Sequence, residues 1–385
     1  MIKPNYIVLG DCNSIFVKQY IEHVLLSKYN VILLQEDYLS DYYCKFYLDS
    51  GVHIEPMWYS NNKWLKHIPI LRSSFGAHLW AKHIGKIYGN FDVVHVHGLS
   101  RNRCNAALYL KSNAKQVILT AWGSDLLRRS TKQLKAFEKY YIVADKITLA
   151  TNQMKDAFKK AYGNKFVGKC YVIGFSMGIL DIIDNVRFKS TRMELCNELG
   201  MQHPEKLNVY IGHNGRDCQR HLELTEAMFN LPQNIKDKIN LVYTMTYGVP
   251  PQPYLDNLKN IAKRSGCECT FIEGYRTEEE VAKIRLVCDV LLHAQPTDAA
   301  SASFFECMYS GAICVNGTWL PYEHIEDYHH RVIEYGDIPQ LTGIVQDIVE
   351  NYESYKKKFA RNIGFRNGNP TPQETADKWH SIIKA

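Results

Sequence analysis

The chain has 385 residues, which is enough for two domains that each bury their own core. Hydrophobic residues make up 46% and charged residues 22%, as in globular proteins, and no stretch approaches the roughly 18 apolar residues that cross a bilayer. The eleven cysteines include no CxxC pair and do not match a common zinc-binding spacing. We therefore expect reduced thiols, mostly buried, in a cytoplasmic protein.

Short apolar runs rich in β-branched residues alternate with segments of helical periodicity, in two successive series. Because the runs are apolar almost throughout, they predict strands buried on both faces of a parallel sheet. In the first half these runs are NYIVLG, NVILLQ, VHIEPM, DVVHVHG, QVILTAWG, KITLAT and CYVIGF, and in the second half NVYIGHNG, INLVYTMTYG, CTFIEG, DVLLHAQ and AICVNG. The alternation predicts an α/β protein with two Rossmann-like, doubly wound domains.

The boundary between the domains is predicted near FSMGILDIIDNVRFKS. We assign residues 1–175 to an N-terminal domain and residues 176–369 to a C-terminal domain. The segment ETADKWHSIIKA is amphipathic, and we expect a helix over 370–385 that packs back on the first domain. The opening MIKPNYIVLG predicts a strand and not a signal peptide, because its apolar run is short and ends in Gly-Asp.

The net charge of +6 is modest, but its distribution is uneven. Between Pro56 and Phe91 there are five Lys or Arg residues and no Asp or Glu, together with Trp58, Trp64 and Trp80. Basic residues interleaved with Trp suit the surface of an anionic membrane, and they also suit nucleic acid. The third interpretation is a solvated face over a core helix.

Two acids follow a strand of the second series, in PTDAASASFFECMYSGAICV, and open parallel sheets bind ligands beyond the carboxyl ends of their strands. Ser303 and Glu306 fit a capping box, which would start a helix at Phe304. A helix that starts near Asp298 makes this residue an N-cap and leaves Glu306 in the interior without a local partner. We favour the second interpretation, in which ligand hydroxyls satisfy Glu306. Gly311 is predicted to end the helix.

The first strand of the second series runs into YIGHNGRDCQRHLELTEAM. Its glycines allow a ligand to approach the backbone, and the cationic donors that follow lie near the start of a helix, so the segment predicts an anion site. The spacing is neither G-x-G-x-x-G nor a P-loop, and a tight turn with surface arginines is the alternative. The candidate donor-binding residues of this segment are Gly212, Asn214, Arg216, Arg220 and His221.

The first series offers three candidates at its strand ends. Gly10 follows the first strand, and His97 lies on the same side of a later strand as His95, because side chains alternate. His97 is a structural or a catalytic histidine. Asp125, in TAWGSDLL, is a helix N-cap or a base for an incoming hydroxyl. The sequence shows no clear metal triad of His and carboxylate.

These features together resemble the GT-B fold glycosyltransferases, and glycosyltransferase family 4 most closely. The most specific match is to the E-x7-E motif of that family, which here reads Asp298-x7-Glu306, with Asp in place of the first Glu. The resemblance implies that Asp298 lies beside the donor sugar and that Glu306 binds the ribose. The segment EGYRTEEEVAKI is similar to the family segment that holds the base, so Gly274 and Tyr275 are expected to contact the nucleobase. Many members have His at the position of Trp122.

The segments GHNG, MTYGVPPQPYLDNL and WGSDL are also similar to a second GT-B group, which transfers TDP-linked aminosugars to lipid-linked intermediates. The first family retains the anomeric configuration and the second inverts it, so both outcomes stay open. An inverting reaction would use Asp125 or His97 as the base. The remaining alternatives are a GT-B-like sugar-nucleotide epimerase and a nucleotide-binding module without activity, whereas a missing G-x-G-x-x-G argues against a classical dehydrogenase.

The resemblance implies two domains that face each other across a cleft and transfer a sugar from a nucleotide-diphosphate donor to a hydroxyl. We expect the acceptor to be a lipid-linked glycan or an oligosaccharide of bacterial surface polysaccharide synthesis, and retention of configuration. We expect no cofactor, no metal ion and no nucleic-acid partner. The basic stretch that contains Trp58, Trp64 and Trp80 would then lie on the cytoplasmic face of the inner membrane.

Overall fold

A computed structural model describes residues 3–36, 38–57, 72–248, 250–298, 301–320 and 322–383. It divides the chain into two compact units, one of Met1–Ser176 with Asn369–Ala385 and the other of Met177–Gly368. Both boundaries lie within one residue of those expected from the sequence. No helix in the described ranges is long and apolar enough to span a membrane.

The described part of the first unit contains a seven-stranded sheet in which every pairing is parallel. Its strands are β1 Asn5–Leu9, β2 Asn30–Gln35, β3 His53–Pro56, β4 Phe91–His97, β5 Ala114–Ala121, β6 Lys146–Leu149 and β7 Cys170–Val172. The order is β3-β2-β1-β4-β5-β6-β7. The chain therefore runs outward from β1 to β3 and then crosses back, so that β4 pairs with the other side of β1. The seven runs predicted to be strands are confirmed.

The helices of the first unit cover both faces of this sheet, as buried parallel strands require. They are α1 Ile15–Tyr20, α2 Asp41–Asp49, α3 Ala77–Tyr88, α4 Arg101–Leu110, α5 Ser124–Leu127, α6 Thr131–Val143 and α7 Asn152–Tyr162. A π-helical turn at Ile21–Leu25 continues α1, and another at Arg72–Gly76 precedes α3. Short 3₁₀ turns occupy Lys111–Asn113 and Val167–Lys169. Serine or threonine side chains cap several N-termini, and Ser130 does so in a capping box.

The second unit has a six-stranded sheet among its described residues, again parallel in every pairing. Its strands are β8 Leu207–Ile211, β9 Ile239–Met245, β10 Glu268–Glu273, β11 Val290–His293, β12 Ile313–Gly317 and β13 Ile333–Tyr335, in the order β10-β9-β8-β11-β12-β13. Five were predicted. The sixth, β13, was missed because its three residues, IEY, are too few to show a period.

The helices of the second unit are α8 Ile179–Lys189, α9 Arg192–Glu198, α10 His221–Ala227, α11 Gln233–Lys236, α12 Gln252–Arg264, α13 Glu278–Leu286, α14 Ala302–Ser310, α15 Tyr328–Arg331, α16 Leu341–Glu350 and α17 Tyr352–Phe359. Four 3₁₀ turns lie at Asp217–Gln219, Met228–Asn230, Ile338–Gln340 and Ala360–Asn362. Two apolar clusters, one on each side of the sheet, form the core of the unit. All eleven cysteines are free, and most are buried, as expected.

The last helix, α18 Pro372–Ile382, belongs to the first unit. Trp379 is buried there, with its ring centroid 4.9 Å from that of Tyr20. His380 Nε2 bonds to the carbonyl of Val24, 2.8 Å away, in the π-helical turn that follows α1. The chain therefore returns to its first domain at the C-terminal end, as its amphipathic pattern indicates.

Trp80 does not belong to the membrane-facing surface that was predicted for the basic stretch. Its side chain is fully buried in the first unit, and its Nε1 donates to the carbonyl of Pro56 at 3.2 Å. Trp80 is therefore a core residue, because a buried indole cannot reach a lipid headgroup. Trp58 and Trp64 lie outside the described residues.

Candidate active site

The loop that follows β8 is built around Gly212. Its φ is +71°, and a Cβ there would meet Cβ and Oε1 of Gln219 at 2.9 Å each, so only glycine fits without displacing that side chain. Gln219 Oε1 accepts the backbone N–H of His213 at 3.1 Å. The side chain of Gln219 therefore packs on Gly212 and holds the backbone of His213 at the strand exit.

Asn214 and His221 hold the next part of this loop. Asn214 Oδ1 accepts the backbone N–H of Arg216 at 2.9 Å, and the Asn214 carbonyl accepts from His221 Nε2 at 2.8 Å. His221 Nδ1 lies 3.1 Å from the hydroxyl of Tyr254. Burial lowers the pKa of His221 to about 4. His221 is therefore neutral and positions the loop. This corrects the prediction that His221 is a cationic donor.

The two arginines of the loop are exposed or half-buried, and each has one contact that orients it. Arg216 Nη2 donates to the hydroxyl of Tyr247 at 3.2 Å, and its guanidinium lies 5.1 Å from the centre of that ring. Arg220 adopts φ +60° and its Nε donates to Glu223 at 3.1 Å. Both positive charges thus lie on the segment that leaves the carboxyl end of β8, where the sequence predicts an anion site.

The neighbouring strand β11 ends in a polar network around His293, which is fully buried. His293 Nδ1 lies 2.7 Å from Asn316 Oδ1, so this nitrogen carries the proton and Nε2 accepts from Gln295 Nε2 at 3.1 Å. Burial lowers the pKa of His293, although Asp298 and Asn316 oppose the shift. Asp298 Oδ2 accepts from the hydroxyl of Tyr322 at 2.6 Å and from Gln295 at 3.2 Å.

The helix after this network does not start where either interpretation of the sequence placed it. Ser301 is the N-cap of α14, and its Oγ accepts the backbone N–H of Phe304 at 3.2 Å. Asp298 is therefore not the N-cap but lies in the connecting loop, and Ser303 forms no capping box with Glu306. The predicted end of the helix at Gly311 is confirmed, with φ +99°. The start of the helix was predicted wrongly because Asp298, Ser301 and Ser303, which are all suitable cap residues, lie within six positions of one another.

Glu306 has a protein partner, which contradicts the expectation that it lacks one. Arg285, at the end of α13, donates from Nε to Glu306 Oε2 at 2.9 Å and from Nη2 to Ser303 Oγ at 2.8 Å. Both side chains of the ion pair are buried. One carboxylate oxygen of Glu306 is therefore satisfied within the fold, and the acid pair by itself no longer requires a ligand.

Gly274 and Tyr275 follow the edge strand β10. Gly274 adopts φ +84°, and a Cβ there would meet no other atom within 4 Å, so the backbone is open at this point. The Tyr275 side chain is 45% exposed. Both residues lie at the same end of the sheet as the β8 and β11 exits, because all pairings are parallel. Their contact with a nucleobase stays a prediction.

In the first unit, Gly10 and His97 pack against each other. A Cβ at Gly10 would lie 3.2 Å from Cβ of His97 and 2.8 Å from Val17, so glycine is required by packing. The His97 ring centroid is 4.0 Å from that of His95, which confirms that the two lie on one side of β4. Neither ring nitrogen of His97 has a hydrogen-bond partner in the described ranges, and burial lowers its pKa to about 3.

Asp125 uses both of its oxygens for backbone contacts. Oδ1 accepts the N–H groups of Trp122 at 2.8 Å and Gly123 at 2.9 Å, and Oδ2 accepts that of Leu99 at 2.7 Å. Gly123, and not Asp125, is the N-cap of the short helix α5. Burial raises the pKa of Asp125, while these three N–H groups oppose the shift. Asp125 therefore joins the exits of β4 and β5.

Half-buried aromatic rings lie beside these residues. The Trp122 ring is 5.9 Å from that of Phe16, after β1, and 6.0 Å from that of Phe175, after β7. Phe16 and Phe175 are 4.7 Å apart. We call these three residues the aromatic cluster of the first unit. Its three members follow β1, β5 and β7, so they lie at the carboxyl edge of the sheet.

Sequence analysis missed five residues that the structure places in or beside these sites: His213, Gln219, Arg285, His293 and Tyr322. His213 and His293 had a detectable signal, because each follows or ends an apolar strand. Arg285 and Tyr322 are distant in sequence from the acids they contact, by 21 and 24 residues. Their roles depend on tertiary packing that no local pattern records.

Comparisons with solved structures show the fold of the chain. It is similar to HepE from Anabaena, solved in complex with UDP and glucose, with a TM-score of 0.73 and 11% identity over 99% of both chains. A glycosyltransferase from Rickettsia africae matches with a TM-score of 0.68 and 15% identity, over 100% of this chain and 98% of the other. Sucrose-phosphate synthase from Thermosynechococcus elongatus matches with a TM-score of 0.70 and 13% identity, over 99% and 96%.

No model of a known protein family matches the sequence, and a search of curated proteins also found no match. The structural similarities cover nearly the whole chain at low identity. The chain therefore has the two-unit α/β fold of the GT-B glycosyltransferases, as its sequence predicted.

Proposed function

We propose that the protein is a glycosyltransferase that transfers a sugar from a nucleotide-diphosphate donor to a hydroxyl group. The observation that carries the proposal is the loop after β8. It places two cations, Arg216 and Arg220, at the sheet edge where open α/β folds bind ligands, on a backbone that the packing of Gln219 on Gly212 holds in place. The GT-B fold and its similarity to a structure that holds UDP support the same assignment.

The donor diphosphate lies, in this proposal, against Arg216 and Arg220, and its sugar lies near Asp298. Because His221 is neutral, the two guanidinium groups supply the positive charge that stabilises the departing phosphate. The base lies toward Gly274 and Tyr275. We propose that this charge replaces a metal ion, so that activity survives full chelation with EDTA. Dependence on added manganese would contradict the metal-free scheme.

The acceptor side is proposed to lie in the first unit, on the aromatic cluster of Phe16, Trp122 and Phe175. Aromatic faces bind the apolar faces of sugar rings and lipid chains by stacking and burial of apolar surface. We propose a lipid-linked glycan as the acceptor. Helix α3 supports this choice, because Lys82, Lys86, Phe75 and Ile87 are all exposed along it and its preceding turn.

We propose that the reaction retains the anomeric configuration. An inverting reaction needs a base for the acceptor hydroxyl. Asp125 commits both oxygens to backbone N–H groups, and the unpaired ring nitrogens of His97 are fully buried, so neither of the predicted bases is exposed to an acceptor hydroxyl. NMR of the anomeric proton of the first product would measure the outcome, and an inverted product would contradict this part of the proposal.

A thermal-shift screen with UDP, GDP, TDP and ADP tests the donor class. A nucleotide at about 100 times its Kd should stabilise the protein by about 2.7 kcal/mol, and the matching sugar nucleotides should then be turned over. The substitutions Arg216→Met and Arg220→Met should each weaken binding of that nucleotide about tenfold or more. Arg264→Met, on exposed α12, is the matched control. Absence of a shift with all four nucleotides would reject the function.

A further inference from the structure

Two uncharged side chains of the β8 loop, His213 and Gln219, have side-chain nitrogen atoms that pair with none of the described residues. Both side chains are buried, with exposures of 7% and 0%. His213 Nδ1 and Gln219 Nε2 have no hydrogen-bond partner within the part of the chain that the structure describes. Buried polar atoms are nearly always paired, because leaving one unpaired costs free energy, so two neighbouring exceptions at a strand exit call for an explanation.

The contacts of His213 determine which nitrogen carries its proton. Its Nε2 lies 3.2 Å from Ser301 Oγ, and the same oxygen accepts the N–H of Phe304. Because Ser301 Oγ already accepts the N–H of Phe304, we assign its hydroxyl proton to the contact with His213 Nε2. This assignment places the ring proton on Nδ1, which makes the unpaired atom a donor. Burial and the neighbouring His293 lower the pKa of His213, which keeps the ring neutral.

The orientation of the Gln219 amide follows from the same kind of argument. The backbone N–H of His213 needs an acceptor, and Gln219 supplies Oε1 at 3.1 Å. The opposite end of the amide is then the NH₂ group, so Nε2 is a donor as well. Gln219 cannot turn away easily, because it packs directly on Gly212. The loop thus holds two neutral N–H donors in fixed orientations.

We propose that His213 Nδ1 and Gln219 Nε2 donate hydrogen bonds to the diphosphate oxygens of the nucleotide donor. An unpaired N–H donor selects a group that accepts hydrogen bonds, and phosphate oxygens only accept them. Arg216 and Arg220 lie on the same loop and supply the charge, while the buried donors supply direction. This inference rests on the proposed function and adds two ligand-binding residues to it.

The test uses a pair of substitutions at His213 that separate its two nitrogens. Asn places its NH₂ near the position of Nδ1, so His213→Asn retains the proposed donor and loses the Ser301 contact. Gln reaches the position of Nε2, so His213→Gln retains the Ser301 contact and loses the donor. Titration calorimetry with UDP and UMP should show a Kd for UDP weakened about 10- to 100-fold in His213→Gln and much less in His213→Asn.

A second variant, Gln219→Glu, keeps the acceptor for the His213 N–H and replaces the donor by a carboxylate oxygen. It should weaken UDP binding by about 100-fold, and UMP binding less, because repulsion replaces a hydrogen bond to the second phosphate. Asn234→Asp, exposed in the same unit, introduces the same charge as a control. Thermal unfolding of each variant without ligand verifies that the fold is retained.

The outcomes separate this inference from the function on which it rests. If the wild-type protein binds UDP and both His213→Gln and Gln219→Glu bind it equally well, the donor roles are wrong and the function stands. If His213→Asn is the weaker of the two His213 variants, the histidine acts through Ser301 and the inference is also wrong. If UDP does not bind, the titrations use GDP, TDP and ADP, and no binding to any of them overturns both.

Discussion

The carboxyl ends of the two sheets are built from different chemistry, although the sheets share their parallel topology. In the first unit, His95 is part of a neutral buried chain in which its Nδ1 contacts Tyr6 at 2.8 Å and its Nε2 contacts Thr120 at 2.6 Å. The half-buried rings of the aromatic cluster lie at this edge, together with the ion pair of Arg103 and Glu36. In the second unit, the edge carries Arg216 and Arg220, and the carboxylate of Asp298 lies beside the buried His293.

This difference shows how one architecture can serve two kinds of ligand. Aromatic rings over neutral polar side chains favour stacking against sugar or lipid. Cations beside unpaired N–H donors favour an anion. The fold brings strand exits together in both units, but the side chains at those exits decide what can bind there.

The largest expected effect concerns the Arg285–Glu306 ion pair, whose side chains are more deeply buried than those of the Arg103–Glu36 pair in the first unit. Arg285→Leu leaves the Glu306 carboxylate buried without its cation, so the free energy of unfolding should fall by about 3–5 kcal/mol. Urea denaturation would measure this change. The double variant Arg285→Leu/Glu306→Leu should recover much of the loss, because no isolated charge remains. Equal instability of the single and double variants would show that the charge is not the cause.

A smaller effect is expected at Asp125, the carboxylate of the first unit that we assign to structure. Asp125→Ala removes the acceptor for three backbone N–H groups and should lower the free energy of unfolding by about 2–3 kcal/mol. Asp125→Asn retains one acceptor oxygen and should lose about half as much. Chemical denaturation distinguishes these values. Full stability of Asp125→Ala together with lost turnover would favour a catalytic base instead.

The pH dependence of stability should reveal the buried neutral histidines of both units. The folded pKa values of His97 and His221 are lowered to about 3 and about 4, below the usual value near 6.5. Between the folded pKa of each histidine and about 6.5, the unfolded chain binds more protons than the folded chain. The free energy of unfolding is therefore highest above about pH 6.5 and decreases as the pH falls toward the folded pKa. Each such histidine should contribute a slope of about 1.4 kcal/mol per pH unit.

Substitution separates the contributions of the two units to this slope. His97→Phe should reduce by about one the number of protons that the chain takes up on unfolding between about pH 4 and pH 6. Denaturation at several pH values measures this number. His221→Gln should remove a similar amount over a narrower range. A slope that is unchanged in both variants would contradict the burial of these rings in neutral form.

The smallest effect is expected at the exposed surface of the first unit. Replacing Lys82 and Lys86 of α3 with Glu should weaken binding to phosphatidylglycerol vesicles about tenfold or more, because each cation near an anionic surface contributes about 1 kcal/mol. Sedimentation with vesicles measures the binding. Lys356→Glu with Lys357→Glu, on exposed α17 of the second unit, is the matched control. If both pairs of substitutions weaken vesicle binding equally, the first unit has no preference for the membrane.

Much of the fold was accessible from the sequence because its signals are local. Twelve runs such as NVILLQ and DVLLHAQ are apolar almost throughout, and all became parallel strands. Gly311 ended its helix as predicted, since a left-handed residue favours glycine. The three-residue strand β13 escaped detection because it is shorter than one useful period.

The sites followed a different rule, and the reason is that hydrogen bonds and charge pairs join residues far apart in the chain. The sequence by itself determined the two α/β units and placed Gly212, Arg216 and Arg220 at a strand exit. Only the tertiary structure decided that Arg285 satisfies Glu306, that Ser301 and not Asp298 caps α14, and that His221 is neutral. Periodicity is written in neighbouring residues, whereas burial and the identity of a polar partner depend on what the folded chain brings into contact.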